Sequence, residues 1–563
     1  ALGMQRILKR KAIVRKLLAA ETLGSVSVIC ADKTGTITEG KMRVVDLAIS
    51  NQQPATKERL IKAAILCNDM RDPLEVAMFN WAEEKCGESK GIREKYSRLD
   101  EIPFSPKYKY IVTLHQTPSI KHQASNILFI SGAPEVILGK CKMGNAKIKI
   151  WQKRLDEYGG RGYRLVGFGY KKLQGDEAAK IQSKNLKDFE WLGILIYEDP
   201  VRKGVKLTLK ECQKAGIKVR VITGDYVSTA IAVLRQLDLK LNRKTQVIEG
   251  TELEKISEKE LAKKVSNVIL FARTTPEQKL KIVKALKDNG EVVAMTGDGV
   301  NDALALKQAD IGIVVGEASD VAKETADMVL LDSNFSTIVH AVEEGRTIFE
   351  NIKKVVVYLL SDSFTEVILI GGSLLLKLPL PVTAAQILWV NLVEDTLPDI
   401  ALAFESKEKE VMLELPRDRT APLLDVEMKT LIFIIGIFTD LLLFGLYFLF
   451  LRGFFHLRYI QTVMFVALGI DSLFYVFACR SLRKTFFHEH PFKNKTLNIA
   501  VLISFFLLLI AVYFPPLDCL LHTHPLGIRE WFLLLSLGIF ELTAIELTKW
   551  FFISSRARNK VLQ

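Results

Sequence analysis

After residue 350 the sequence contains six stretches long and apolar enough to cross a bilayer, at about 355–376, 384–404, 430–451, 460–479, 497–514 and 530–553. A spanning helix needs ~20 mostly apolar residues. The rear of the chain is therefore expected to be an all-α bundle of six transmembrane helices. Loop charge orients such a bundle, because Lys and Arg collect on the cytoplasmic side. The loop 480–496 carries Arg480, Arg483, Lys484, Lys493 and Lys495, and the tail carries Arg556, Arg558 and Lys560. The loops 377–383 and 515–529 carry one basic residue each. An even number of spans then puts the residues before the bundle and the C-terminus on the same, cytoplasmic, side.

Charge divides the chain at the same place. The first 350 residues hold 57 Lys and Arg against 45 Asp and Glu, while the remainder holds 20 against 19. The front is basic, but its signs are interleaved and no aromatic-basic pattern appears, so nucleic acid is not an expected partner. The denser cluster Arg6, Lys9, Arg10, Lys11, Arg15 and Lys16 reads as a stub beside anionic headgroups. Seven scattered cysteines without a CxxC pair fit a reducing compartment and indicate neither a disulfide framework nor a zinc site. The pairs His488/His490 and His522/His524 lack further ligand residues beside them and read as loop polarity.

The front reads as α/β, with β-branched runs ending at Gly- and Asp-bearing turns. Val26–Cys30 leads to Asp32, Val219–Ile222 to Asp225, and Glu291–Met295 to Asp298. Open parallel sheets bind ligands at such strand ends. Three carboxylates gathered at one sheet edge are hard to explain by packing. The expected division is a basic stub at 1–21, an α/β domain at 22–42 with 194–345, an insert at 43–193 and a membrane domain at 346–563.

Asp32-Lys33-Thr34-Gly35-Thr36 offers a carboxylate nucleophile, a cation, hydroxyls and a glycine that lets backbone N–H groups approach an anion. Phosphoryl transfer draws most of its rate from such positioning and charge stabilisation, and a carboxylate serves as a covalent nucleophile. Thr296-Gly297-Asp298-Gly299-Val300-Asn301-Asp302 supplies hard oxygens of the kind that suit Mg²⁺.

These two motifs, with Thr223-Gly224-Asp225 between them and paired membrane helices behind, resemble the P-type cation-transporting ATPases. The resemblance implies a haloacid-dehalogenase-like, Rossmann-type parallel sheet carrying an inserted α+β nucleotide domain. It implies that Asp32 is phosphorylated by ATP, and that the Asp32 phosphate, the Thr34 carbonyl and Asp298 hold Mg²⁺. Lys279 of Phe271-Ala-Arg-Thr-Thr-Pro-Glu-Gln-Lys279 would meet the phosphate, and Thr223, Gly224 and Asn301 would complete the pocket. Lys33, Asp225 and Asp302 belong to the same catalytic motifs. In the insert, Glu75 of Asp72-Pro73-Leu74-Glu75 and Phe104 of Pro103-Phe104-Ser105 match residues that meet adenine, and Lys109 falls where a basic residue follows. Gly132, Arg164 and Arg273 are expected at the nucleotide as well. Ser131 stands where the family has lysine before Gly132-Ala133, a departure that bears on ATP binding.

Two other classes remain open. A membrane-tethered phosphatase of the haloacid-dehalogenase type would carry a second Asp two residues after the nucleophile, where this chain has Thr34, which cannot take a proton from water near neutral pH. A phosphoaspartate should therefore persist, as a machine that changes shape before hydrolysis requires. A catalytically silent ATP-sensing membrane subunit is the other class, prompted by Ser131.

Ionisable groups at mid-membrane cost ~2.5–3.5 kcal/mol each even on lenient scales, which makes them functional candidates. Asp362 and Glu366 share a helix face, and Asn391, Glu394 and Asp395 are expected to share another. Pro398 cannot donate to the Glu394 carbonyl, which is expected to stay free. Together these groups read as an oxygen cage for a hard cation. The run Trp389–Pro398 resembles the calcium-pump branch, and Asp471 lies near where that branch adds an acidic ligand. That resemblance favours Ca²⁺, while the departures from its pattern at Ser363, Glu394 and Asp362 put another divalent ion or H⁺ second. The resemblance also implies that four further spans and an actuator domain, the N-terminal half of the same protein, precede Ala1.

Overall fold

The computed structural model describes residues 2–561 apart from 88, 106, 118–124, 175–179, 182–185, 298–301, 316–317, 420, 454, 483 and 487–491. Residues 8–19 and 26–340 form one compact unit, and residues 1–7, 20–25 and 341–563 form another.

The first unit is built on two sheets. Its described strands are β1 (Ala12–Val14), β2 (Val28–Asp32), β3 (Arg43–Ile49), β4 (Arg98–Ile102), β5 (Tyr110–Gln116), β6 (Ser125–Gly132), β7 (Arg164–Gln174), β8 (Glu190–Glu198), β9 (Lys218–Thr223), β10 (Val247–Glu249), β11 (Leu270–Ala272), β12 (Val293–Gly297), β13 (Ile311–Val315) and β14 (Met328–Leu330). One sheet has the order β1-β14-β13-β12-β2-β9-β11-β10, parallel except for β1 against β14. Every residue of β2 is buried, as a central strand covered on both faces by helices must be. The strand order reverses at β2, between β12 and β9, so their C-terminal ends form the crevice where such sheets take ligands. The chain leaves this sheet after β2 and returns through β8. In between it builds a six-stranded antiparallel sheet, β3-β8-β7-β6-β5-β4.

Strand ends differ from the sequence reading by one or two residues. Asp32 is the last residue of β2 rather than the turn beyond it, because β2 pairs with β9 as far as Asp32↔Ile222. Residues 1–21 also do more than stand as a stub. β1 closes the sheet edge, Lys16 pairs with Asp327 at 2.7 Å, and Arg15 donates to the Lys323 carbonyl. In the second unit Arg6 donates to the carbonyls of Phe404 and Glu405.

The second unit is helical. Four of its described helices are long and apolar enough to cross a membrane: Phe335–Leu375, Leu457–Cys479, Lys495–Tyr513 and Ile528–Ser554. The span expected at 355–376 is thus the later part of a 41-residue helix. Those expected at 384–404 and 430–451 are built of shorter pieces. The first consists of Ala384–Trp389, a π turn Val390–Glu394 and Thr396–Ala403; the second is a π turn Thr430–Gly436 followed by Ile437–Arg452. Pro398 explains the first break, since it has no N–H for the Glu394 carbonyl, and π turns recur at functional sites.

Candidate functional site

Lys279 shows how local structure delivers a side chain to the crevice. Thr275 and Gln278 form a capping box, and Pro276 occupies the first turn, so the helix Pro276–Asp288 starts in a set place. Its buried face includes Gln278, Lys279, Ile282, Val283 and Leu286, which puts Lys279 under the sheet edge. Its Nζ donates to Asp32 Oδ2 at 2.9 Å and to Asp302 Oδ1 at 2.7 Å. Burial alone would push this ammonium's pKa down, but the charges of Asp32 and Asp302 outweigh it and hold the pKa above the usual lysine value. Gly297 has the space of its missing side chain filled by Asp302, since a Cβ there would lie 2.5 Å from Asp302 Cβ.

Asp32 is further held by its own backbone N–H, which donates to Thr296 Oγ1 at 2.8 Å, and its Oδ1 accepts from the Thr34 N–H. Lys33 points away, pairing with Asp225 Oδ2 at 2.5 Å and lying 3.9 Å from Asp199. Thr223 is buried, and its hydroxyl accepts from the Asp225 N–H. Gly224 faces open space, with nothing within 4 Å of an added Cβ. Asp32, Lys33, Thr34, Thr223, Gly224, Asp225, Lys279 and Asp302 therefore share one end of the sheet. Asp298 and Asn301 lie outside the described residues.

Two residues of this end escaped the sequence reading. Asp199 accepts from Thr38 Oγ1 at 2.6 Å and from the Gly40 N–H at 2.8 Å, and Arg202 donates to the carbonyls of Thr38 and Gly35. Together they clamp the loop that follows Asp32, in which Gly35 takes φ +75°. Their signal was Asp199-Pro200-Val201-Arg202 at the end of β8, a charged pair at the point where the chain re-enters the first sheet.

A cavity of about 310 Å³ joins this end to the second sheet, and its lining includes Lys33, Thr34, Asp72, Leu74, Arg164 and Thr229. Arg164 starts β7 and lies 3.5 Å from Asp225. Asp72-Pro73-Leu74-Glu75 is a helix start: Asp72 accepts from the Leu74 and Glu75 N–H groups, and Glu75 accepts from the Arg71 N–H. Phe104 is exposed. Lys109 and Gly132 meet across β5 and β6, where a Cβ on Gly132 would lie 2.3 Å from the Lys109 carbonyl oxygen. Arg273 stacks over Tyr226 at 5.0 Å and pairs with Glu249 at 3.6 Å. Glu75, Phe104, Lys109, Gly132 and Arg273 are not among the residues that line the cavity.

In the helical unit the acidic residues find different partners. Asn391 donates to Glu366 Oε1 at 2.9 Å on an exposed face. Asp395 accepts from Tyr358 Oη at 2.9 Å and from the Ser472 hydroxyl, neither of which was singled out from sequence. Glu394 is fully buried beside Gly469. Asn391 and Asp395 both meet the helix Phe335–Leu375, at Glu366 and at Tyr358, while Glu394 turns to Gly469 of the helix Leu457–Cys479; within the π turn the Asp395 N–H donates five residues back to Val390. The Glu394 carbonyl is not free either, since it accepts from the Ser504 hydroxyl. Asp395, Glu366, Asp471 and Glu394 all act electrostatically on Asp362. Among the described residues no three His, Cys, Asp or Glu side chains are grouped closely enough to hold a metal ion.

A model of haloacid dehalogenase-like hydrolases matches residues 26–310, and a model of the cation transporting ATPase C-terminus matches residues 379–551. The chain is 36% identical to a protein of Bacillus subtilis named calcium-transporting ATPase, over 96% of this chain and 65% of that one. It is 34% identical to the mouse calcium-transporting ATPase type 2C member 1, over 100% of this chain and 64% of that one. A cation-transporting ATPase of Synechocystis, pma1, is 32% identical over 94% and 64%. The chain spans about two thirds of the length of the curated relatives it matches, a little less in each of these three.

Proposed function

The chain belongs to the P-type cation-transporting ATPases, built on a haloacid dehalogenase-like hydrolase core, and on that premise we propose that it is the phosphorylation and ion-carrying part of a pump that uses ATP to move Ca²⁺ out of the cytosol. The observation that carries the reading is the Lys279 bridge between Asp32 and Asp302 at the end of the central strand. A buried nucleophilic carboxylate beside a fixed cation suits attack on a phosphoryl group. Asp32 Oδ forms a bond to the γ-phosphorus as the bond to the ADP oxygen breaks, and Lys279 balances charge on the transferred group.

The residues present fit ATP and Mg²⁺ by chemistry. Lys33 and Arg164 line the cavity next to Asp32 and match the phosphates in charge, while Glu75, Phe104, Lys109, Gly132 and Arg273 are proposed to position the base and sugar. Mg²⁺, held by Asp32, the Thr34 carbonyl and Asp298, would neutralise charge on the phosphates. Thr34 offers no general base, so the acyl phosphate lasts long enough to drive a conformational step.

We further propose that the six apolar segments form six spans, with the phosphorylation and nucleotide domains and the C-terminus in the cytosol. Asp362, Glu366, Asn391, Glu394, Asp395 and Asp471 provide the oxygens for the transported ion. Ca²⁺ is the first candidate because the relatives are named for it; another divalent ion or H⁺ is second. Labelling the full-length protein with γ-labelled ATP tests the reading. An acid-stable, hydroxylamine-labile adduct that needs Ca²⁺ and disappears in Asp32→Asn is expected; labelling that survives Asp32→Asn would overturn it.

A further inference from the structure

Gly469 sits inside the helix Leu457–Cys479, two residues before Asp471, and its backbone is not in the left-handed region. Glycine within a helix costs ~1 kcal/mol relative to alanine, so its presence needs a reason other than conformation. That reason is Glu394. A Cβ built on Gly469 would lie 2.4 Å from Glu394 Oε1, 2.7 Å from Oε2 and 2.9 Å from Cδ. Glu394 is 0% exposed, and neither carboxylate oxygen has a hydrogen-bond partner among the described residues. The backbone of Glu394 is pinned from another helix by the Ser504 hydroxyl, so the side chain cannot make room by moving the whole residue. Three residues after Gly469, Ser472 holds Asp395 on the same helix. One helix thus receives two successive acidic side chains, one against a hydroxyl and the other against bare backbone.

We propose that Gly469 is a specificity-determining residue of the cation site. By leaving a slot one side chain deep, it lets a full-length glutamate at 394 seat its carboxylate between the helices, and so sets the reach and charge presented to the ion. The inference rests on the pump reading above. Any side chain at 469 must displace the Glu394 carboxylate, whereas a shorter acid at 394 would tolerate it.

The test uses the full-length pump and reads the cation dependence of phosphoenzyme formed from labelled ATP, with Ca²⁺ and Mn²⁺ as probes. Gly469→Ala is expected to raise the Ca²⁺ concentration for half-maximal labelling about tenfold or more, the size typical of residues that orient metal ligands. The maximal level should be retained and the Ca²⁺/Mn²⁺ preference altered. Glu394→Asp should lower affinity in the parent protein yet restore it in the Gly469→Ala background, a non-additive pair. Additive effects, or a Gly469→Ala protein with a lower melting temperature and unchanged half-maximal Ca²⁺, would overturn the inference while leaving the pump reading intact. A parent protein labelled without regard to either ion would overturn both.

Discussion

Lys279 Nζ lies 2.9 Å from Asp32 Oδ2, although 247 residues separate them in the chain. The same nitrogen holds Asp302 at 2.7 Å, so the lysine is fixed before any nucleotide arrives. Lys279→Met is expected to slow phosphorylation of Asp32 by about 10²–10³-fold, the loss typical of one preorganised charge or donor. Nucleotide binding should change little, and rapid-quench labelling beside a fluorescent-nucleotide titration separates the two. Lys279→Arg should not rescue the rate, because a planar guanidinium cannot replace a compact ammonium between two carboxylates.

Asp199 and Arg202 clamp the loop after Asp32 through one carboxylate and one guanidinium. Asp199→Ala removes the acceptor of two hydrogen bonds and leaves their donors without it. A loss of about 1–3 kcal/mol is expected, together with slower phosphorylation. Thermal unfolding and the labelling rate should fall together; a rate unchanged in a destabilised protein would mean that the loop geometry does not matter to the chemistry.

His115 is buried on β5, with Nδ1 3.0 Å from the Tyr96 carbonyl oxygen. Burial pushes its pKa down to about 4. The unfolded chain therefore binds this proton first, and stability rises with pH through the window between about 4 and the ordinary histidine value near 6.5. The contribution is complete above that window and lost on acidification through it, amounting to about 3 kcal/mol. His115→Leu should flatten the fall in melting temperature between pH 7 and pH 5. An equally steep fall would assign the acid sensitivity elsewhere.

Glu405 and Arg480 form a buried pair, Nε to Oε2 at 3.2 Å, to which Asn494 adds a hydrogen bond at 2.8 Å. The Glu405 carbonyl also accepts from Arg6 and Asn351. Arg480→Met leaves the carboxylate buried without the Nε and Nη2 donors of the arginine and is expected to cost about 3–5 kcal/mol. Adding Glu405→Gln should recover part of that loss, because the uncompensated charge goes. Unfolding in detergent measures both, and equal losses in the single and double variants would count against a charge penalty.

Much of the candidate site was legible before any coordinates. Asp32 and Asp225 were legible at one sheet edge because each follows a short apolar run, and parallel strands put such ends side by side. Asp72-Pro73-Leu74-Glu75 stood out in the sequence only by resemblance, and its role as a helix start, with Asp72 accepting from the Leu74 and Glu75 N–H groups, came from the folded chain. Asp199 and Arg202 were not legible, because no periodicity marks residues whose partners, the Thr38 hydroxyl and backbone groups of the loop after Asp32, lie 159–167 positions away.

From residue order alone came the α/β front, an insert of different character, the apolar rear and the chemical character of each turn, all of which depend on neighbours within a few residues. Pairing came only from the folded chain. Lys279 meets Asp32 and Asp302, Lys33 meets Asp225, and a π turn sends Asn391 to Glu366, Glu394 to Gly469 and Asp395 to Tyr358. Asn391 and Asp395 keep one face, toward the helix Phe335–Leu375, and Glu394 alone faces the helix Leu457–Cys479. A single extra residue in the backbone hydrogen-bond register rotates every side chain beyond it, and that register is settled by packing against distant helices and by the missing N–H of Pro398.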